Sequence, residues 1–174
     1  MFFRKRTGRS SSGALLAFGY LIRYDPDMER PEAYQKLETI YGELGDELDR
    51  LRPRCELSGR CCKFKEYDHQ LWTTPIEIDY LIENVGLPEE VDHAVCPWLV
   101  GGKCSVRDHR MLGCRIFFCD PAYEEAMGPL YEKYHQKMKE LHREAGVDYE
   151  YVEFVKSPKL VKRPPPEAQT PPQE

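Results

Sequence analysis

Residues 55–64 read CELSGRCCKF, placing three cysteines (Cys55, Cys61, Cys62) and one serine, Ser58, within eight positions. Two of the cysteines are adjacent. A disulfide between sequence neighbours strains the peptide that joins them, so Cys61 and Cys62 are expected to act on something other than each other. A second cluster, CPWLVGGKCSVRDHRMLGCRIFFC over residues 96–119, adds Cys96, Cys104, Cys114 and Cys119. The total is seven, and full pairing of an odd number leaves one thiol over.

Compartment decides how such thiols are read. The N-terminus, MFFRKRTGRSSSGALLAFGYLIRYD, puts basic residues before an apolar run, as a secretory signal would. The uninterrupted apolar piece, residues 14–22, is short, meets Arg23 at once and is followed by no small-x-small cleavage pattern. It is also too short to span a bilayer. A cytoplasmic chain without a membrane partner is the expectation, and thiols in a reducing cytosol are more often metal ligands or catalytic groups than disulfides. The formal charge of −5 gives no reason to expect nucleic acid as a partner. Arg4, Lys5, Arg6 and Arg9 read as a solvated end.

With 41% hydrophobic and 32% charged residues, the 174-residue chain has the composition of one soluble domain with tails. Residues 31–51 repeat apolar side chains at helical spacing (Tyr34, Leu37, Ile40, Tyr41, Leu44, Leu48), weakened by Gly42 and Gly45 and ended by Pro53. A second helix starts at Thr74 as N-cap, with Pro75 at the first position and Glu77 three after the cap, and closes at Gly86. A long helix is expected from Asp120 to Gly146, broken or kinked at Gly128–Pro129. YEYVEFV, residues 149–155, alternates as a short strand does, and the tail from Ser157 is proline-rich and expected to be disordered. The cysteines then fall in loops between helices. The expected fold is mostly α, with a small α+β arrangement as the alternative: residues 1–30 an extension, 31–156 a compact cysteine-cluster domain, 157–174 the tail.

Loops suit thiolate sites, because several sulfurs have to converge without breaking a helix ladder. Gly59, Gly101, Gly102 and Gly113 let the backbone turn and offer amides to sulfur. Four thiolates bind zinc tetrahedrally or hold an iron–sulfur cluster. No pair of CxxC knuckles is present, and six or seven sulfurs exceed the needs of one zinc ion, so a cluster or two metal ions sharing ligands fits at least as well.

The motifs resemble the CxxCxxCC family of zinc- or iron-chelating domains, the YkgJ type, related to the cysteine domain of flagellin lysine methylases. C-E-L-S-G-R-C-C matches C-x-x-C-G-x-C-C with Ser58 at the second cysteine. Cys96-Pro97-Trp98-Leu99, Gly102-Lys103-Cys104-Ser105-Val106-Arg107 and Arg110-Met111-Leu112-Gly113-Cys114-Arg115 follow the second family motif, with Met111 in place of the usual proline. Thr74-Pro75-Ile76-Glu77-Ile78 resembles the linking helix. The resemblance implies chelation through Cys55, Cys61, Cys62, Cys96, Cys104 and Cys114, with Cys119 as a candidate to compensate for Ser58. The serine hydroxyl suits a hydrogen bond to a neighbouring thiolate better than ligation of a soft metal.

Each residue also has a plainer reading. Any of the cysteines can serve as a small buried hydrophobe, Cys119 above all beside Ile116, Phe117 and Phe118. His109 reads as a surface residue, His135 and His142 as part of a solvated helix face, and His69 and His93 carry no spacing signal. Arg110 and Arg115 are expected to neutralise thiolate charge, and Arg107 with Asp108 to form an exposed pair. No GxGxxG, P-loop, GxSxG, HExxH or CxxxCxxC signature is present. The expected function is chelation of zinc or iron, or of a [4Fe-4S] cluster, in a module acting through an unidentified protein partner. An iron-dependent redox or protein-modifying enzyme using the same cysteines is the alternative.

Overall fold

The amphipathic stripe near the N-terminus forms one uninterrupted helix. A computed structural model of the chain describes residues 29–160, and in it α1 runs from Arg30 to Leu51 straight through Gly42 and Gly45. The two glycines do not break it because tertiary burial outweighs their propensity cost of about 1 kcal/mol each. Ala33, Leu37, Tyr41 and Leu44 are buried against α4, Glu124–Glu144, in a core shared with α2, Pro75–Val85, and the short α3, Leu112–Ile116. Full burial of Leu37 and of Leu44 contributes about 1.5–3 kcal/mol each. The apolar run, the basic cluster and the tail beyond Leu160 lie outside the described residues.

The fold is mostly α with two small antiparallel sheets. In one, β1 (Trp72–Thr73) pairs with β4 (Val152–Glu153), Trp72 opposite Glu153 and Thr73 opposite Val152. Only two residues of the alternating stretch 149–155 enter it, because the chain turns into a 3-10 helix at Phe154–Lys156. The other is a hairpin, β2 (Leu99–Val100) with β3 (Lys103–Cys104), closed by Gly101 and Gly102 with φ of 57° and 75°. Positive φ at both turn residues matches the twist of a two-residue hairpin and favours glycine at each.

α2 divides the interior into two clusters. Ile76 and Tyr80 face the α1–α4 core, while Ile78 and Leu81 face a second core with Phe64, Trp98, Val106, Met111, Phe154 and Leu160. The expected start of α2 is present: Thr74 and Glu77 form a capping box, Pro75 follows, and Gly86 ends the helix at φ 77°. Glu77 is only 2% exposed. Its carboxylate accepts from Thr74 N (3.0 Å), Thr74 Oγ1 (2.8 Å), Thr73 Oγ1 (3.4 Å), the Tyr41 hydroxyl (3.0 Å) and Leu112 N (2.7 Å). One side chain thereby ties α1, β1, α2 and α3 together.

Four expectations change. α4 continues through Pro129 as one helix, since Pro129 and Glu125, whose carbonyl loses its bond there, are both exposed to water. Cys114 stands on α3, a helix where a loop was expected. The domain does not end at residue 156: Ser157 and Leu160 are buried, Leu160 in the second core, so packed chain replaces the first residues of the expected tail. The face of α4 expected to be solvated is covered. His135 and His142 are both buried, because the segment with Tyr149 and Tyr151 and the start of α2 lie against them. His142 Nδ1–H donates to Met138 O (2.7 Å), leaving Nε2 to accept from Ile76 N (3.3 Å), the first N–H of α2 because Pro75 has none. That role needs a neutral ring.

No helix among the described residues is long and apolar enough to cross a membrane. Two outcomes follow for stability. Glu77→Gln presents an amide donor where five donors already converge, and should lose about 2–4 kcal/mol in chemical denaturation. Burial lowers the pKa of His142 and of His135, so the folded chain binds these protons more weakly than the unfolded chain. Stability from this source is full above about pH 6.5 and is lost as pH falls below it, with a slope of up to about 1.4 kcal/mol per pH unit for each proton. Denaturation midpoints measured at intervals between about pH 7 and pH 5 should show this loss, and His142→Gln should flatten it.

Candidate metal centre

The first cysteine segment leaves α1 at Arg52, which adopts a left-handed conformation (φ 51°), and is anchored by Asp120: Arg54 N donates to its carboxylate at 2.9 Å. Cys55 is exposed, and Arg107 Nη1 donates to its sulfur at 3.9 Å. Among the described residues the Arg107 side chain forms no ion pair with Asp108, so the expected exposed pair is replaced by this contact. Cys61 and Cys62 sit in a 3-10 turn, Arg60–Cys62, opened by Gly59 at φ 69°. A Cβ on Gly59 would lie 3.2 Å from the Gly102 carbonyl carbon and closer still to its oxygen. The bare backbone here lets the first cysteine segment press against the β2–β3 turn of the second.

Backbone hydrogen bonds complete the join. Cys96 N donates to Cys62 O at 2.7 Å, and Lys65 N to Ala94 O at 3.0 Å. All seven cysteines are free thiols, and all seven line one cavity of about 190 Å³. Trp98, stacked on Phe154 at 5.9 Å between ring centres, forms part of its apolar wall, with Leu81. Phe154 comes from the C-terminal segment and carries no motif that would mark it in the sequence.

The sulfurs differ in environment. Cys62, buried, shares its thiol proton toward Cys104, Cys61 and Cys96, and these contacts push its pKa up. Accepting from Cys62 brings Cys61 and Cys104 each down to about 6 and lowers Cys96. Burial, followed by the charges of Cys96 and Cys61, pushes Cys114 well up. One thiol pushed up, Cys62, thus sits among three lowered ones drawn from both segments. Such crowded negative charge favours a cation. Two guanidinium groups line the cavity beside them, Arg107 and Arg110, the latter with its Nη1 bonded to Cys114 O at 3.0 Å and its Nε to Arg107 O at 3.0 Å.

Arg115 does not share that task. Its guanidinium lies over the Tyr41 ring, 4.0 Å from the centroid, and donates to Arg110 O at 2.6 Å and to Asp108 O. It braces the loop between the cysteines and α1. Ser58 lines the cavity but is exposed, and among the described residues its hydroxyl makes no hydrogen bond to a thiol, so the expected contact is not formed. His109 is half-buried with its ring against Tyr80 and outside the cavity wall. His69, which carried no spacing signal, hydrogen-bonds Cys61 O through Nε2 (3.2 Å) and steadies the 3-10 turn. Among the described residues no group of three or more His, Cys, Asp or Glu side chains is already arranged to hold a metal ion. The sulfurs share one cavity without a preset coordination sphere.

Gly59→Ala should separate the role of the close approach from general loss of helix or loop stability. Left-handed strain alone costs about 1–2 kcal/mol, and the displaced β2–β3 turn adds to it. Gly42→Ala, in open space on α1, should gain about 0.5–1 kcal/mol. Thiol titration under native conditions should show Cys62 and Cys96 reacting faster in Gly59→Ala and unchanged in Gly42→Ala.

No protein-family model matches the chain, and no curated protein or solved structure gives a match.

Proposed function

We propose that the chain is a metal-binding protein that chelates zinc or iron, the latter alone or as an iron–sulfur cluster, through its split cysteine set. The observation that carries the reading is convergence. Cysteines more than thirty positions apart in sequence, Cys62 with Cys96 and Cys104, line one cavity together with the other four. Cys61, Cys62, Cys96 and Cys104 would form the inner donor set, with Cys114 behind them and Cys55 and Cys119 as further donors. Soft thiolates in this number select zinc, copper(I) or iron–sulfur chemistry over harder cations. Bound there, the metal would supply cross-linking of the two segments or, as iron, electron storage.

The residues of the chain contribute the rest. Cys61 and Cys104 supply thiolate near neutral pH, and the metal takes the place of the proton held by Cys62. Arg110 offsets the remaining charge, and Trp98 with Phe154 keeps part of the cavity wall apolar. The role is that of a cytoplasmic module whose metal is structural or carried, acting through a protein partner and not on nucleic acid or membrane. The CxxCxxCC resemblance supports the same donor set.

Purification without oxygen, followed by elemental analysis and a visible spectrum, tests the proposal. Stoichiometric zinc in a colourless protein, or iron and sulfide in a brown one, is the expected outcome, and absence of both overturns it. Removing the metal should cost about 3 kcal/mol or more, the linkage value for a metal at roughly a hundred times its Kd. Cys62→Ala should lose metal and melt earlier; unchanged metal content and melting temperature would refute the donor set.

A further inference from the structure

A second cavity, of about 320 Å³, lies on the other side of Cys61 and Cys114, and Phe117 also belongs to both walls. Its lining is aromatic. Trp72 and Tyr151 stack at 5.4 Å with planes 23° apart, Phe117 lies parallel to His69 at 6.4 Å, and Tyr131 joins its hydroxyl to that of Tyr151. Gly113 forms part of the wall, where a Cβ would come within 2.9 Å of Leu71 Cδ1, so α3 approaches the β1 segment as closely as a side-chain-free backbone allows. Among the described residues no Lys, Arg, Asp or Glu lines the cavity. Trp72, Phe117 and Tyr151 nevertheless remain 39%, 40% and 39% exposed, a large apolar area left in water around one opening.

We propose that this cleft is a binding site for a neutral, planar aromatic compound of one or two fused rings. The size follows from the volume, which stands at the low end of the roughly 300–1,000 Å³ of small-molecule sites. Neutrality follows from the walls: an ionised ligand would lose its hydration and find, among the described residues, neither Lys or Arg for an anion nor Asp or Glu for a cation. The planar shape follows from ring faces, which add about 0.5–1.5 kcal/mol per stacked pair beyond burial of area. The paired hydroxyls of Tyr131 and Tyr151, with the Gln70 amide, offer hydrogen bonds to one ring substituent, and are too few for an extended peptide backbone. Because Cys61 and Cys114 separate this cleft from the thiol cavity, a bound ring would lie against the far side of the proposed metal site.

Calorimetric titration of the full chain as purified, with naphthol as the probe, tests this site without relying on metal content. One equivalent should bind saturably. Fully saturated decahydronaphthol should bind about tenfold more weakly, as should ionised naphthoate, which keeps the rings and adds a charge. Phe117→Ala and Trp72→Leu should each weaken naphthol about fivefold or more while the melting transition persists; Phe117, outside the sheets, serves if the change at Trp72 disturbs β1. Failure to saturate, equal affinity for either control compound, or unchanged affinity in the variants overturns the proposal. So does sedimentation as a dimer whose Trp72 is shielded from a fluorescence quencher, since a second copy would then be the occupant.

Discussion

A single buried carboxylate organises this fold. Among the described residues Glu77 has no lysine or arginine bonded to it, and its charge is met by hydrogen bonds from two threonine hydroxyls, one tyrosine hydroxyl and two backbone amides. Burial of such a charge is tolerable only when its lone pairs are satisfied. Satisfying them fixes where Tyr41 of α1, the Thr73–Thr74 entry to α2 and the first amide of α3 sit relative to one another. Cys114 is two residues beyond that amide. The carboxylate that begins α2 therefore also places a sulfur of the candidate metal centre.

The thiol cavity inherits its position from α2. Because that helix is buried on two faces, it carries one core toward α1 and α4 and a second toward the cysteine segments. Cys62 and Cys96 are themselves members of the second core, which keeps their sulfurs away from water while Cys55 stays exposed. The two cysteine segments meet through backbone, at Cys96 N to Cys62 O and across the bare Cα of Gly59.

Much of this was legible along the chain wherever the signal is local. The capping box at Thr74 and Glu77, the glycine stop at Gly86 and the helical stripe of residues 31–51 depend on neighbours three or four positions apart, and each appears in the structure. What failed to show was set by packing across sequence distance. His135 and His142 sit among lysines and glutamates, so their periodicity reads as a wet face; only the fold of residues 147–151 over α4 and the Ile76 amide beneath His142 bury them. Arg115 reads like Arg110, and the ring of Tyr41 decides that one braces a loop while the other faces sulfur.

The sequence by itself determined the elements, the two cysteine clusters and the chemistry their sulfurs favour, because helix caps, turn glycines and thiolate softness are properties of residues and their near neighbours. Only the tertiary structure decided that all seven cysteines line one cavity, that Cys62 and Cys96 are the buried ones, and that Ser58 stays without a hydrogen bond to any of them. It alone also placed an aromatic cleft behind Cys61 and Cys114, since Trp72, Phe117, Tyr131 and Tyr151 come from four separate segments. The physical reason is common to all of these. Each depends on contacts between residues far apart in the chain, and those distances are set by how α2 and its buried carboxylate dock the other elements.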